Sequence, residues 1–290
     1  MRKHRGLFWG MGFTLWVATA AFGFEVTGLS TPESIIVDPV TGHYYISNIN
    51  GSPIEKDNNG FITRLDSTGA VIALKFIEGT PLHAPKGLAI IGDVLYVSDI
   101  DVVRGFHKIT GQLMHLVNLK SLGALFLNDL AADIAGNLYV SDTATFIRPE
   151  APGAIFKIET RQGHQTSVFV RETSLGQPNG LIVHPKTGRL IANTWGTGKI
   201  MEMTADGKPT VWLTHANFKD LDGLDYDRAG NLYMSSFTGG QVFRITPEKH
   251  VTRLHRDLIT PADTHIDRKN NLLLVPSFQG NTVRTLSIGP

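Results

Sequence analysis

One phrase recurs six times along this 290-residue chain, and it leaves few folds open. The copies are "PESIIVDPVTGHYYISNI" from Pro32, "PKGLAIIGDVLYVSDI" from Pro85 and "LNDLAADIAGNLYVSDT" from Leu127. They continue with "PNGLIVHPKTGRLIANTW" from Pro178, "LDGLDYDRAGNLYMSSF" from Leu221 and "PADTHIDRKNNLLLVPSF" from Pro261. Their second residues fall at 33, 86, 128, 179, 222 and 262. Each copy is a short apolar strand, a turn of Asp/Lys/Gly/Asn type, and an apolar-aromatic strand. Two more alternating segments follow, as in "GQVFRITPE" and "HVTRLHRD". Four strands repeated at 40–50 residues are the signature of a propeller blade. We therefore expect an all-β, six-bladed β-propeller of four-stranded blades.

The ends of the chain fit a closed ring. The sixth unit runs out after its third strand, "NTVRTLSI", whereas "FEVTG" (Phe24–Gly28) precedes the first phrase and belongs to no unit. We expect this N-terminal piece to supply the missing fourth strand and hide an edge that would otherwise invite aggregation. Residues 24–290 then form one domain. Before them, "MRKHR" is a basic start, and residues 6–24 form an uncharged, mostly apolar run containing the small-x-small sequence Ala18-Thr19-Ala20, with Ala21-Phe22-Gly23 as a second cleavage option. This pattern fits a secretory signal peptide over residues 1–23 and a periplasmic or secreted product. The competing reading is an uncleaved anchor, since 19 such residues nearly span a bilayer.

Composition narrows the chemistry. The chain has no cysteine, which removes thiolate catalysis, disulfides, iron–sulfur clusters and Cys-type zinc sites. Its formal net charge of +1 advertises no nucleic-acid partner and, after signal cleavage, no membrane partner. We expect a monomer acting on a small molecule.

In a propeller, the first strand of each blade lies against the central channel, and the residue at its head points to the axis. Around the ring, these second positions are Glu33, Lys86, Asn128, Asn179, Asp222 and Ala262. Singly, an Asn or Asp before a strand is usually turn chemistry. Together, two carboxylates and two amides converging on one point suit a hard divalent cation, calcium above all. Zinc is disfavoured, because the ring contains no His or Cys.

The phrases "PESIIVD", "LNDLAAD", "PNGL" and "LDGLDYD" resemble the gluconolactonase/regucalcin (senescence marker protein) family of six-bladed propellers. Paraoxonases and diisopropylfluorophosphatase are more distant relatives. The resemblance spans nearly the whole chain after the leader. It implies divalent-cation binding by Glu33, Asn128, Asn179 and Asp222, and hydrolysis of lactones, esters or organophosphates. A cation there would polarise a carbonyl, with Asp222 as the base for an attacking water. The chain departs from paraoxonases at Lys86: they carry a catalytic His in "P-H-G", and here the phrase is "P-K-G". Lys86 is either a substrate anchor or base, or a neutralising charge, and His83 stands three residues earlier. The resemblance to diisopropylfluorophosphatase implies a possible second metal held by Asp225 and His265. The alternative is a hydrogen-bonded Asp–His pair in the channel wall. Asp129 and Asp263 stand at third positions, as orienting groups or turn formers.

Loops 48–60 and 143–153 are longer than their counterparts and suit substrate contacts. Trp195, Phe237 and Phe278 read as blade packing. "WGTGKI" lacks the spacing of a phosphate loop, and "DNNG" lacks the Glu of an EF-hand. Two rivals to a hydrolase are a non-catalytic propeller that binds a ligand or protein and a quinone-dependent dehydrogenase. The latter would need a basic, aromatic cofactor pocket that the sequence does not offer.

Overall fold

Each alternating segment becomes a strand, and the strands group into six four-stranded antiparallel sheets. The structure is a computed structural model that describes residues 23–289. The leader and its cleavage sequence lie outside the described residues, apart from Gly23 and Phe24. Blade one, for example, runs Pro32–Val37, Tyr44–Asn48, Phe61–Leu65 and Val71–Ala73 from the channel outward. Among the described residues, the helical pieces are four 3-10 turns of three residues each. No described helix is long and apolar enough to cross a membrane.

Ring closure follows the expectation. Glu25–Val26 adds to the outer side of blade six, pairing Glu25 with Arg284 and Val26 with Val283. The Phe24 N–H donates to Thr285 Oγ1 at 2.6 Å. Val26 and Leu29 then share one apolar cluster with Ile35 and Tyr44 of blade one and Leu272 and Leu274 of blade six. The first and last turns of the chain are thereby packed together.

The second strand of each blade explains why a phrase such as "NLYVSD" is apolar on both faces. Successive side chains in a strand point to opposite sides, and here each side meets a different neighbour. In blade three, Leu138 and Val140 pack towards blade two; Tyr139 packs towards blade four. In blade five, Leu232 and Met234 face blade four, and Tyr233 faces blade six. The core is thus six wedges between blades, and no blade buries its apolar faces alone. A fully buried side chain of this size stabilises by roughly 1.5–3 kcal/mol, so the ring is held mainly at the interfaces.

The two long connections lie where the sequence placed them. One links Asn48 to Phe61 between the second and third strands of blade one. The other leaves Asp142 and contains the 3-10 turn Ala144–Phe146 before Gly153.

Candidate functional site

The second positions owe their aim to a break in the ladder. In blades one to five, the register between first and second strands shifts between Pro32 and Ile35, Pro85 and Leu88, Leu127 and Leu130, Pro178 and Leu181, and Leu221 and Leu224. The second and third residues of each phrase lie inside that bulge, where a strand is bent and a side chain re-aimed.

Hydrogen bonds from the second strand fill the gap and sew the blades together. Ser141 Oγ accepts from the Asp129 N–H at 2.8 Å and donates to the Asn179 carbonyl of the next blade at 2.6 Å. Asn193 repeats this, accepting from the Gly180 N–H at 3.0 Å and donating to the Asp222 carbonyl at 2.6 Å. Ser235 accepts from the Gly223 N–H and donates to the Ala262 carbonyl. Ser98 donates to the Asn128 carbonyl. At the closing seam, the Asp263 N–H donates to the Glu33 carbonyl at 2.9 Å, and Ser34 donates to the Asp263 carboxylate. Glycine stands at third positions where the next strand presses close: a Cβ on Gly223 would lie 2.0 Å from the Thr264 nitrogen. With their main chains fixed this way, the second-position side chains have no freedom to turn outward.

They are buried. Glu33, Lys86, Asn128, Asn179 and Asp222 are each 5% exposed or less. Three of their acceptors have no hydrogen-bond partner: Glu33 Oε2, Asn128 Oδ1 and Asp222 Oδ1. The Asn128 amide nitrogen bonds Thr143 Oγ1 at 3.4 Å, which orients its oxygen. Burial, reinforced by Asp222 and Asp263, pushes the Glu33 carboxyl well above its usual range. Asp222 is raised by burial and then by Asp263. Asp129 is likewise raised, by burial and Asp263. Burial lifts Asp263 to about 7, against the Ser34 hydrogen bond. Lys86 is the counter-charge. Its Nζ donates to the Ala84 carbonyl at 3.1 Å and stands 4.3 Å from the Phe126 ring centre. Burial lowers it to about 8, although Glu33 and Asp99 pull the other way. Buried, unpartnered carboxyl and amide oxygens fit a divalent cation of the oxygen-preferring kind, and the Lys86 ammonium beside Glu33 opposes it in part. Among the described residues, no group of three or more His, Cys, Asp or Glu side chains is suited to a metal. A cation at the mouth would therefore depend on the two amides as much as on the two carboxylates.

Deeper in the channel, Asp225 is saturated by the protein. It accepts from the Tyr226 and Ile266 N–H groups at 2.7 and 2.8 Å, from His265 Nδ1 at 2.9 Å, and from Arg268. Burial alone would raise this carboxyl, but His265, Arg268 and the Ile266 N–H hold it at about 2. Asp129 also works as a clasp, accepting from Leu130 and from Leu181 of the next blade at 2.6 Å each. His265, Asp129, Asp263 and Thr264 border a channel cavity of about 160 Å³. His265 also borders a larger one, about 590 Å³, at the opposite end between the Asp38–Pro39 and Asp267–Asn270 turns.

Several contributors were hidden in the phrase itself. Asp99 and Asp142, the "D" of "VSD", do not reach the mouth. Asp99 accepts from the His83 and Ala84 N–H groups and from Arg104, and Asp142 from Leu125 and Phe126. Both hold the segment that leads into the inner strand of their own blade. His83 is tied down through this bond, with its Nδ1 buried and unpartnered. The stitching serines were signalled by a hydroxyl or amide residue at the same place in five copies.

Comparisons with known proteins agree with this architecture. The pattern of the SMP-30/gluconolactonase/LRE-like region matches residues 56–262. No curated protein sequence matches. Among solved structures, a candidate gluconolactonase from a structural-genomics consortium superposes with a TM-score of 0.69 at 17% identity, covering 92% of each chain. A luciferin-regenerating enzyme gives 0.68 at 16% identity, covering 92% of this chain and 96% of its own. Virginiamycin B lyase from Staphylococcus aureus gives 0.66 at 11% identity, covering 92% and 99%. These likenesses concern the fold, which hosts different chemistries. The family match takes in blades two to five and the two outer strands of blade one, with the Lys86, Asn128, Asn179 and Asp222 positions inside it and Glu33 before it: the chain belongs to the SMP-30/gluconolactonase/LRE-like family of six-bladed propellers.

Proposed function

We propose that the protein is an exported hydrolase of lactones or related esters that uses a divalent cation, calcium by preference, in the channel mouth. One observation carries this reading: Glu33 Oε2, Asn128 Oδ1 and Asp222 Oδ1 are buried, unpartnered and drawn from three different blades. Family membership supports the reaction class. Glu33, Asn128, Asn179 and Asp222 would hold the cation, which when bound supplies a Lewis acid for the carbonyl oxygen. Asp222 receives the proton of a water as its oxygen adds to the carbonyl carbon. The same proton then goes to the departing alkoxide as the ring C–O bond breaks. Lys86, fixed over Phe126, presents its ammonium to the acyl oxygens of the substrate. The Asp225–His265 pair acts as channel wall, its acceptors satisfied by Arg268 and two main-chain N–H groups. Export rests on the basic, apolar leader.

The test is calorimetric titration of the EDTA-treated protein with calcium, beside hydrolysis of a lactone and aryl-ester panel. Calcium binding with calcium-dependent turnover is expected. If calcium neither binds nor supports turnover, and Asp222→Ala changes nothing, the non-catalytic binding propeller replaces this reading.

A further inference from the structure

One residue follows the second strand of each blade: Ile49, Ile100, Thr143, Trp195, Phe237 and Phe278. Main-chain bonds fix its level. The Ile49 N–H donates to the Thr31 carbonyl at 3.1 Å, Trp195 to Gln177 at 2.9 Å, Phe237 to Asp220 at 2.9 Å and Phe278 to Thr260 at 3.0 Å. Thr143 donates to Phe126 in the same way, at 3.0 Å. In all five cases, the acceptor stands two residues before the second position of that blade. These residues therefore form a second ring, one layer outside Glu33, Lys86, Asn128, Asn179 and Asp222 and on the same face.

That outer ring is hydrocarbon almost throughout. Thr143 is the exception, since its hydroxyl is used on the Pro178 carbonyl. There, the 3-10 turn Ala144–Phe146 carries Phe146 into the gap, with ring centres 5.6 Å from Trp195 and 5.2 Å from Phe126. Trp195 stands 5.2 Å from Phe237, and Phe237 stands 5.5 Å from Phe278. Phe278 then packs on Ile49, Ala84 and Ile100, which brings the circuit back to blade two. Packing between blades explains why these rings touch. It does not explain their exposure: Phe146 is 44% exposed, and Trp195, Phe237 and Phe278 are only part-buried, whereas Ile62, Ile155, Ile200 and Phe243 inside the wedges are fully buried. A mouth built for a polyhydroxylated ring would offer hydrogen-bonding groups at this level; wet aromatic faces instead favour an apolar occupant.

We propose that this collar is the specificity subsite of the mouth. It receives an aromatic or aliphatic substituent of a lactone or ester whose carbonyl lies against the inner polar ring. The assignment names the substrate class of the site and rests on the hydrolase reading above.

The test uses the full chain and three δ-lactones with the same ring: unsubstituted, phenyl-substituted and polyhydroxylated. The expected order of kcat/KM is phenyl-substituted, then unsubstituted, then polyhydroxylated. Trp195→Ala lowers the phenyl-to-unsubstituted ratio on the order of tenfold, and Trp195→Phe, which guards against misfolding, retains most of it. Ile134→Ala, at an exposed apolar residue in a turn of blade three, leaves the ratio unchanged. The proposal is overturned if the polyhydroxylated lactone leads, or if Trp195→Ala lowers all three equally. Binding is followed separately with EDTA present, as the tryptophan fluorescence response to the phenyl lactone that Trp195→Phe abolishes. A Trp195 response to the phenyl lactone without hydrolysis of any lactone supports the collar and overturns the hydrolase reading. Hydrolysis without preference and without a Trp195 response overturns the collar alone.

Discussion

Asp222 and Asp225 lie three residues apart on one inner strand, at 4% and 1% exposure, yet their carboxyls are pushed in opposite directions. Burial is common to both, so burial is not what separates them. Asp225 has four protein partners, two of which are the side chains of Arg268 and His265. Asp222 Oδ1 has none and shares its surroundings with Glu33, Asp129 and Asp263. A buried carboxylate with partners is structure; one held without a partner by a rigid ring is the candidate for binding that the proposed function uses.

The sharpest way to break this contrast is to exchange the roles by mutation. Asp222→Ala should lower calcium affinity and kcat/KM by at least about a hundredfold, measured by calorimetry and lactone hydrolysis. The same change should leave the melting temperature of the metal-free protein equal or higher, because it removes a buried group without a partner. Asp225→Asn should do the reverse. We expect a loss of about 3 kcal/mol in urea unfolding, since Arg268 and His265 lose their charged partner, with calcium affinity within a few-fold of the parent. Loss of calcium binding in Asp225→Asn would transfer the cation to the deeper position.

The pH dependence should split in the same way. Asp225 is depressed to about 2, so its contribution of about 2 kcal/mol is present above the ordinary carboxylate value and vanishes as pH falls through about 2. Asp263 is raised to about 7, so its contribution is complete below the ordinary value and is lost as pH rises through about 7. Melting temperature in EDTA should therefore decline between about pH 4 and 7. Calcium at a hundred times its Kd should restore about 2.7 kcal/mol at neutral pH. A flat profile in EDTA, or one indifferent to calcium, would remove the electrostatic case for the mouth.

The smallest expected effect concerns the stitch. Ser141→Ala strips the Asp129 N–H and the Asn179 carbonyl of a shared partner and should cost about 1–2 kcal/mol in urea unfolding. Calcium affinity should fall only a few-fold, as Asn179 loosens.

Much of this was legible in advance. Period-2 runs between turn signals gave the blades, the short sixth unit gave the closing strand, and the shared register gave the buried ring position that Glu33, Asn128, Asn179 and Asp222 occupy. The partners of Asp225 were harder to see, because Arg268 lies 43 residues away and reaches it only after blades five and six have packed. Asp99 and Asp142 were hidden in the recurring phrase, because their main-chain partners show only once each blade has folded. Trp195, Phe237 and Phe278 were readable as packing, but not as one circuit, since Phe146 enters it from an insert that breaks the repeat.

Sequence by itself determined the architecture and the identity of the polar ring, because strand periodicity and repeat register are local properties that survive in one dimension. The tertiary structure alone decided which buried polar atoms find partners. That depends on bulges, on hydroxyls donated from neighbouring blades, and on side chains that meet only when the ring closes. The difference between a satisfied carboxylate such as Asp225 and an unpartnered one such as Asp222 lies in those meetings.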